Sequence, residues 1–366
     1  MEFDAIIVGG SFAGLTTAYY TRAENLLVLE KEKGLGIKQK STCCAPVDWV
    51  SKLGARKSIL SKFDKIVFHS PKERAEIDLP IYYCTIDYKV FCESLASQLR
   101  NTTIMTNTKV TGVKENGVKK VVCSEKEFSS DILVDASGWR AVLATSLSQG
   151  LHDVKFNIRG IESEVEYDTD YIHMFFGRRF IPGGYAWIFP TKDGLSRVGL
   201  GSFRRLNLLE FQRGFLEFLG IKAKDLRYHG GIIPCLGLRD PVVDNIFVVG
   251  DAAGQVLPVS GEGIRKAFIY SKLCGDLISK VLLDDISLSE ALRVYEREVL
   301  QGKKFYDALL FLQNIVFRAP DWALNRVIRK AARDRSIPRE LLKVYYSESH
   351  EYTKTKILQQ LLKILL

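Results

Sequence analysis

The residues best suited to chemistry sit in two glycine-rich stretches far apart in the chain, VGGSFAG at Val8–Gly14 and FVVGDAAGQVLPVSGEGI at Phe247–Ile264. In each, an apolar run enters a glycine turn and then a helical pattern, which presents bare backbone N–H groups to an anion. The first turn suits a pyrophosphate. The second stretch adds a carboxylate, Asp251, and another glycine turn at Gly261–Gly263, where the far half of an extended nucleotide would lie. Two such grips on one elongated ligand point to a flavoprotein.

The elements that must position these groups are readable. Asp4–Val8 predicts a buried parallel strand and Phe12–Arg22 the helix after it. Gly9 permits the tight turn and Gly14 close helix–strand contact. Asn25–Glu30 predicts a second buried strand ending in Glu30, about twenty residues past the turn, where a carboxylate meets a ribose diol. Ser11 takes the place of the central glycine of G-x-G-x-x-G and can still donate from its hydroxyl and N–H. A lone G-x-G-x-x-G says little, because a loop can be glycine-rich for steric reasons alone; the ordered strand, turn, helix, strand and acid say more.

Beyond Glu30 the pattern predicts a helix around Val47–Leu60, short strands near Lys65–Ser70 and Ala75–Leu79, and a helix near Tyr88–Arg100 leading into Thr103–Thr106. Lys109–Ala136 alternates around an Asn116–Gly117 turn and predicts a small antiparallel meander, its last strand Asp131–Ala136 running into Ser137–Gly138. From His152 to Ser202 a strand-rich pattern predicts a second, mostly antiparallel sheet. The chain returns to the first fold at Asn245–Asp251 and finishes in helices. The expected class is α/β: a Rossmann-like nucleotide-binding domain over 1–150 and 230–285, an inserted antiparallel-sheet substrate domain over 151–229, and a C-terminal helical region over 286–366.

Composition permits an enzyme of this kind. The chain has 366 residues, 46% hydrophobic and 26% charged, ordinary for a soluble globular protein with two or three subdomains. No apolar stretch reaches the length of a bilayer span, and a strand begins at once without a signal peptide, so a cytoplasmic location is expected. Seven cysteines without a repeating spacing suggest neither a disulfide framework nor a zinc site. His69, His152, His173, His229 and His350 show no metal-ligand spacing, and no metal is expected. The net charge of +9 is concentrated at the end: from Gly302 onward there are thirteen Lys/Arg against six Asp/Glu, on amphipathic helical patterns. Such helices suit an anionic membrane surface, nucleic acid or a solvated outer face.

VGGSFAGL with Glu30, ILVDASG at Ile132–Gly138, YAWIFP at Tyr185–Pro190 and VGDAAGQVLPVSGEGI together resemble the geranylgeranyl reductase family, flavoproteins related to p-hydroxybenzoate hydroxylase. The resemblance runs from Phe3 to about Asp284; the terminal helices match by character only. It implies an FAD-binding domain of the p-hydroxybenzoate hydroxylase type, with FAD held in extended form. Gly9, Gly10, Ser11, Ala13 and Gly14 would take the pyrophosphate, Glu30 with Lys31 the adenosine ribose, and Val110 would back the adenine. Gly250 and Asp251 would serve the pyrophosphate–ribityl region. Pro258, Gly261, Glu262, Gly263 and Ile264 would face the flavin's pyrimidine edge. Relatives usually carry Arg where this chain has Tyr88 and Lys89, and the DASG turn at Gly138 replaces the commoner A-D-G.

The resemblance further implies hydride transfer from reduced flavin to carbon–carbon double bonds of an isoprenoid lipid or prenylated small molecule. The residues themselves offer a container: the sheet around Phe175, Phe176, Phe180, Tyr185, Trp187 and Phe189, with Pro190, is rich in aromatic side chains that would line an apolar substrate tunnel, and Cys43, Cys44, Tyr185 and Trp187 are catalytic candidates. Half-buried strands favour the same aromatics as ordinary core, and adjacent small thiols are also ordinary core residues. Gly199–Gly201 is a second G-x-G but has no following helix, which leaves no separate domain for NAD(P)H. Electrons would then arrive through a transient NAD(P)H site or a carrier such as ferredoxin. Two alternatives compete: a flavin monooxygenase or halogenase of the same superfamily, and a flavin-containing nucleic-acid-binding protein. No nucleic-acid motif supports the latter, and no nucleic acid is expected. The basic helices would instead place the protein peripherally on the cytoplasmic face of a membrane.

Overall fold

Runs such as AIIV, LLVL and ILVD have no position to offer water, and each forms a strand buried along its whole length. The computed structural model describes residues 2–39, 42–116, 118–123, 126–147, 157–222, 226–347, 355 and 359. From the N-terminus the chain forms β1 (Ala5–Val8), α1 (Phe12–Tyr20), β2 (Leu26–Leu29), β3 (Cys44–Pro46), α2 (Val47–Lys52), β4 (Ile59–His69), β5 (Arg74–Ile86), α3 (Tyr88–Ala96) and β6 (Thr102–Met105). Next come β7 (Val110–Asn116), β8 (Val118–Cys123), β9 (Glu127–Ser129), β10 (Ile132–Asp135), α4 (Val142–Leu147), β11 (Ile158–Glu166), β12 (Ile172–Phe176), β13 (Gly184–Pro190), β14 (Leu195–Ser202) and α5 (Leu208–Phe218). The remainder holds β15 (Tyr228–Ile233), β16 (Val242–Val243), β17 (Ile246–Val248), α6 (Ile264–Leu282), α7 (Leu288–Gln301), α8 (Lys303–Val316), α9 (Asp321–Arg333) and α10 (Ser336–Ser347).

The first sheet has the order β16-β17-β10-β1-β2-β6 and is parallel except for β16. Ala5 and Ile7 of β1 pack toward α6 and α7, among Tyr270, Cys274 and Tyr295. Ile6 and Val8 face the other way, toward Leu143 of α4 and Phe128 of the antiparallel β7-β8-β9 meander. The strand over Asp131–Ala136 therefore differs from expectation. Its ILVD run is buried at every position, so β10 leaves the meander and inserts between β17 and β1. Gly117, in the expected hairpin turn, lies outside the described residues.

The second sheet has the order β15-β11-β14-β13-β12-β4-β5-β3 and is antiparallel except where β12 pairs with β4. Strands β3, β4 and β5 come from residues 44–86, so sheet membership does not follow a division at residue 150. The two short strands expected at 65–79 are parts of one long hairpin, β4–β5. The helix expected over Val47–Leu60 stops at Lys52, because Gly54 adopts φ +67 and ends it, with Ala55 N–H closing back on Val50 O at 3.0 Å. Helix α5 packs on one face of this sheet, and β5 carries α9 and α10 at its far side. Among the described residues no helix is long and apolar enough to cross a membrane.

Close approach at the first turn is strict. Gly9 has φ +118, and a Cβ added at Gly14 would lie 1.8 Å from Gly9 O, a backbone atom that cannot rotate away. Gly14→Ala is therefore expected to destabilise the protein by about 1–3 kcal/mol or more. Thermal unfolding followed by circular dichroism should show the loss, and an unchanged Tm would refute this account of the turn.

Candidate active site

One cavity of about 940 Å³ is lined from both sheets. At its polar end are Gly9, Ser11 and Ala13 of the first turn, with Glu30, Lys31, Val110 and Gly138. The Glu30 carboxylate is held in place by two backbone donors, Gly10 N–H on Oε2 at 2.8 Å and Glu32 N–H on Oε1 at 2.9 Å. Gly10 thus braces the acid, and Gly14 is a packing position; neither lines the cavity. Tyr88 donates to Ser11 Oγ at 2.8 Å, whereas Lys89 lies outside the wall and pairs with Glu93 at 3.7 Å. The DASG turn is fixed by Asp135, a buried carboxylate that accepts from Ser137 N–H and Oγ–H and from the Leu143 and Ala144 N–H groups. That leaves Gly138, at φ +81, open to the cavity.

The second glycine stretch approaches from the opposite side. Gly250, Asp251, Gly261, Glu262, Gly263 and Ile264 all line the cavity, and Gly263 caps the nineteen-residue helix α6. The first-turn amides of α6 and the positive end of its dipole therefore lie at this wall. Pro258 sits outside it, inside the small loop closed by a Leu257–Glu262 bridge. Val259 holds φ +73, a costly conformation for a β-branched residue, and Gln313 Oε1 fixes it by accepting its N–H at 2.9 Å.

Glu262 is the centre of a buried polar cluster that sequence reasoning assigned only to the cofactor loop. Its carboxylate accepts Arg265 Nε–H and a second guanidinium N–H, each at 2.9 Å, Tyr83 O–H at 2.5 Å and Tyr345 O–H at 2.6 Å. Burial opposes its ionisation, but Arg265 and the two phenols outweigh burial and hold the carboxyl below the usual glutamate value. Burial, and then the charge of Glu262, push both phenols well up, so Tyr83 and Tyr345 remain donors. The guanidinium also lies 5.4 Å and 5.1 Å from the ring centres of Tyr345 and Tyr346 on α10.

Cys43 and Cys44 both line the cavity, Cys43 at φ +56 just before β3. Burial pushes the Cys44 thiol well above its usual value, with Cys84 and Glu262 adding to the shift. It is therefore a neutral thiol rather than a thiolate nucleophile. Tyr185, Trp187 and Phe189 line the same space, and Tyr185 O–H donates to Ser260 O at 2.6 Å. Pro190 does not line it; its carbonyl accepts Thr85 Oγ1–H at 2.6 Å. Phe175 points to the opposite face of the sheet, stacked 4.2 Å from His69 and packed on Phe180 and Phe215 under α5. Alternation along β12 decides this, and the cavity receives its neighbours Met174 and Phe176 instead.

Several contributors carried no signal in the sequence. Glu162 lines the cavity with its carboxylate bonded to Thr42, Trp187 and His229. Phe305, Leu309, Leu312 and Leu342 come from α8 and α10, where only amphipathic character was readable. His69 and His173 meet at 2.9 Å away from the cavity, and burial first, then neighbouring charge, lowers both to about 4. Among the described residues no cluster of three or more potential metal ligands occurs.

The cluster at Glu262 makes a stability prediction with a definite sign. A carboxyl held below its ordinary value of about 4.3 binds fewer protons folded than unfolded in acid. Its contribution is complete above that value and disappears as pH falls through the folded-state value. Glu262→Ala also leaves Arg265 buried without its carboxylate, at a cost of about 3–5 kcal/mol. Urea unfolding at pH 7 should show this loss, and the gap to wild type should narrow below about pH 4. Equal midpoints at pH 7 would contradict it.

Comparison with known proteins agrees with the architecture. Residues 153–224 match the geranylgeranyl reductase catalytic domain. The chain is 26% identical over 317 residues to digeranylgeranylglycerophospholipid reductase 2 of Methanothermobacter thermautotrophicus, covering 77% of this chain and 79% of the relative. The crystal structure of a geranylgeranyl bacteriochlorophyll reductase-like protein from Thermoplasma acidophilum superposes with a TM-score of 0.81 at 17% identity, covering 99% of this chain and 95% of that one. The p-nitrophenol 4-monooxygenase PnpA of Pseudomonas putida shares the fold at a TM-score of 0.74 and 17% identity, covering 95% and 99%. The matched domain and the similarity along most of the chain mark an oxidoreductase that is similar to the geranylgeranyl reductases.

Proposed function

We propose that this chain is an FAD-dependent reductase of carbon–carbon double bonds in a prenyl lipid. The observation that carries the reading is the continuity of the cavity. It runs from the two glycine turns to an apolar face made by Ile66, Phe68, Leu79, Met174 and Phe176. Its polar end fits an extended dinucleotide: bare backbone at Gly9 and Gly261, an anchored acid at Glu30, and a helix N-terminus at Gly263. Gly9–Ala13 and Gly250–Asp251 would hold the pyrophosphate and ribityl chain, Glu30 the ribose, and the start of α6 the flavin's pyrimidine edge. Bound FAD, once reduced by a nicotinamide nucleotide or a ferredoxin-type carrier, supplies a hydride.

The chain's own residues do the rest. An isolated alkene offers no charge to grip, so Met174, Phe176, Tyr185, Trp187 and Phe189 align it by packing and exclude water. Cys44 keeps a proton on Sγ beside this wall. The relatives named for digeranylgeranylglycerophospholipid reduction support a substrate of this class.

The deciding experiment incubates dithionite-reduced, flavin-loaded protein with polyprenyl lipids under anaerobic conditions. Mass spectrometry should find two hydrogens gained per double bond reduced. Substrate-dependent oxygen uptake with hydroxylated product, and no saturation, would favour an oxygenase instead. Asp251→Ala should lose most bound flavin absorbance and Glu30→Ala less of it, because Glu30 removes a ribose partner and a brace rather than the phosphate cradle. Full flavin occupancy in both variants would move the cofactor elsewhere.

We also infer a peripheral membrane contact at α9. Ala323, Leu324 and Ile328 are turned into the protein, so the apolar stripe of this helix is used in packing. What remains outward is Trp322, 67% exposed, on a helix whose last turn ends in Arg333, while Arg329 is held by Glu73. Trp322→Ala combined with Arg333→Glu should reduce cosedimentation with phosphatidylserine vesicles and spare flavin content. Unchanged sedimentation would return α9 to an ordinary solvated face.

A further inference from the structure

A polar path crosses the second sheet along the wall of the cavity, and strand register builds it. Glu162 on β11 pairs with His229 on β15 and with Gly199 on β14, and Gly199 pairs with Trp187 on β13. Paired positions share a face of the sheet, so His229, Glu162, Gly199 and Trp187 form a lateral row. Glu162 and Trp187 are two strands apart, roughly 9.6 Å between strand axes. They meet because Gly199 leaves the space between them free. A Cβ there would lie 2.5 Å from Glu162 Cβ and 2.7 Å from Trp187 Cε2.

Across that space Trp187 Nε1–H donates to Glu162 Oε2 at 2.9 Å, and the Thr42 hydroxyl donates to the same oxygen at 2.5 Å. Glu162 Oε1 lies 2.7 Å from His229 Nε2. The two ends of the row meet different surroundings. Glu162 is 3% exposed and lines the cavity, whereas His229, on the edge strand, is 29% exposed. A nearby cation, Arg197, is committed elsewhere: it donates to Thr42 O and Ile86 O and lies 3.8 Å from Glu164. Burial opposes ionisation of Glu162, but the bonds from His229, Thr42 and Trp187 outweigh it, so the carboxyl rests ionised and carries a proton only in transit.

We propose that this row is the proton inlet of the cavity, with Glu162 passing to the reacting site a proton that His229 takes from water. The inference rests on the reductase reading above. Saturating one double bond adds a hydride, with its electron pair, to one carbon and a proton to the other. The hydride comes from the reduced flavin, which is oxidised by two electrons as the alkene is reduced by two. The proton leaves Glu162, whose carboxylate is recharged by the His229 imidazolium, and the imidazole regains its proton from solvent. Trp187 and Thr42 are positioning residues that hold the carboxylate at the wall. The apolar end of the cavity needs such a supply, because each turnover consumes a proton that has to be drawn again from water.

A purely structural role, anchoring Trp187, makes a different prediction, and the protein without flavin or lipid can distinguish the two. In 15N-labelled protein the Trp187 indole N–H resonance, identified by its loss in Trp187→Phe, should move as pH is varied. The movement should vanish in His229→Gln, which keeps a donor to Glu162 but does not titrate, and in Glu162→Gln. An indole resonance indifferent to pH, or one that moves identically in His229→Gln, would overturn the inlet. In the flavin-loaded enzyme, His229→Gln should lower kcat at least about 100-fold with KM unchanged, and added imidazole should restore part of it. An unaltered kcat would also overturn it. If wild-type protein saturates no prenyl lipid, the reductase reading fails by itself, and the indole titration still decides whether protons travel along the row.

Discussion

The structure depends on one buried carboxylate. Glu262 sits at the end of the second glycine loop and binds Arg265 of α6, Tyr83 of the second sheet and Tyr345 of α10. Those partners belong to the helix after the glycine loop, the second sheet and the C-terminal helices, so a single anion ties together three parts that enclose the cavity. Apolar packing of equal volume could hold them with similar strength, since desolvation offsets most of the attraction in a buried ion pair. What the carboxylate adds is geometry: four directed bonds fix the glycine loop at this wall of the cavity. The strained backbone of Val259, held by Gln313, is tolerated because this surrounding network over-determines it.

Glycine does a second kind of work in the larger sheet. Gly9, Gly14 and Gly261 let backbone approach backbone or ligand, a familiar use. Gly199 instead clears a lane across a strand so that side chains on its two neighbours can touch. From Trp187 the row continues toward β4 through apolar side chains, Met174 and Phe68, with Phe176 beside them. The wall thus carries a lateral line of hydrogen-bonding groups that ends at the edge strand β15, where His229 is partly exposed.

Much of the glycine-turn end of the cavity was legible in the sequence because its signals are local. A buried strand, a glycine turn and an acid at fixed spacing specify their own geometry, and Gly9, Ser11, Glu30, Asp251 and Gly261–Gly263 meet in one cavity. The substrate side was less legible. Phe175 and Phe176 look equivalent as letters, and only strand register assigns Phe176 to the cavity and Phe175 to α5. Glu162 acquires its role from pairings with residues 37 and 67 positions away, which no short motif encodes. Tyr83 and Tyr345 are likewise united by tertiary packing alone. The strand at Ile132–Asp135 was recognised, but its partner was not, because a run buried on all sides fits the centre of any parallel sheet.

That strand has a consequence for the life of the chain before it is complete. By residue 135 four strands of the parallel sheet exist, yet the outer edge of β10 stays unpaired until β17 is made, about 110 residues later, a delay of roughly 5 to 20 seconds at common rates of translation. Throughout that interval the nascent polypeptide presents an open apolar edge, ILVD, to whatever lies nearby. Helix α6, which completes both the sheet's covering layer and the far wall of the cavity, emerges from the ribosome later still. The parallel sheet and the cavity are therefore completed only late in synthesis, after β17 and α6 have been made.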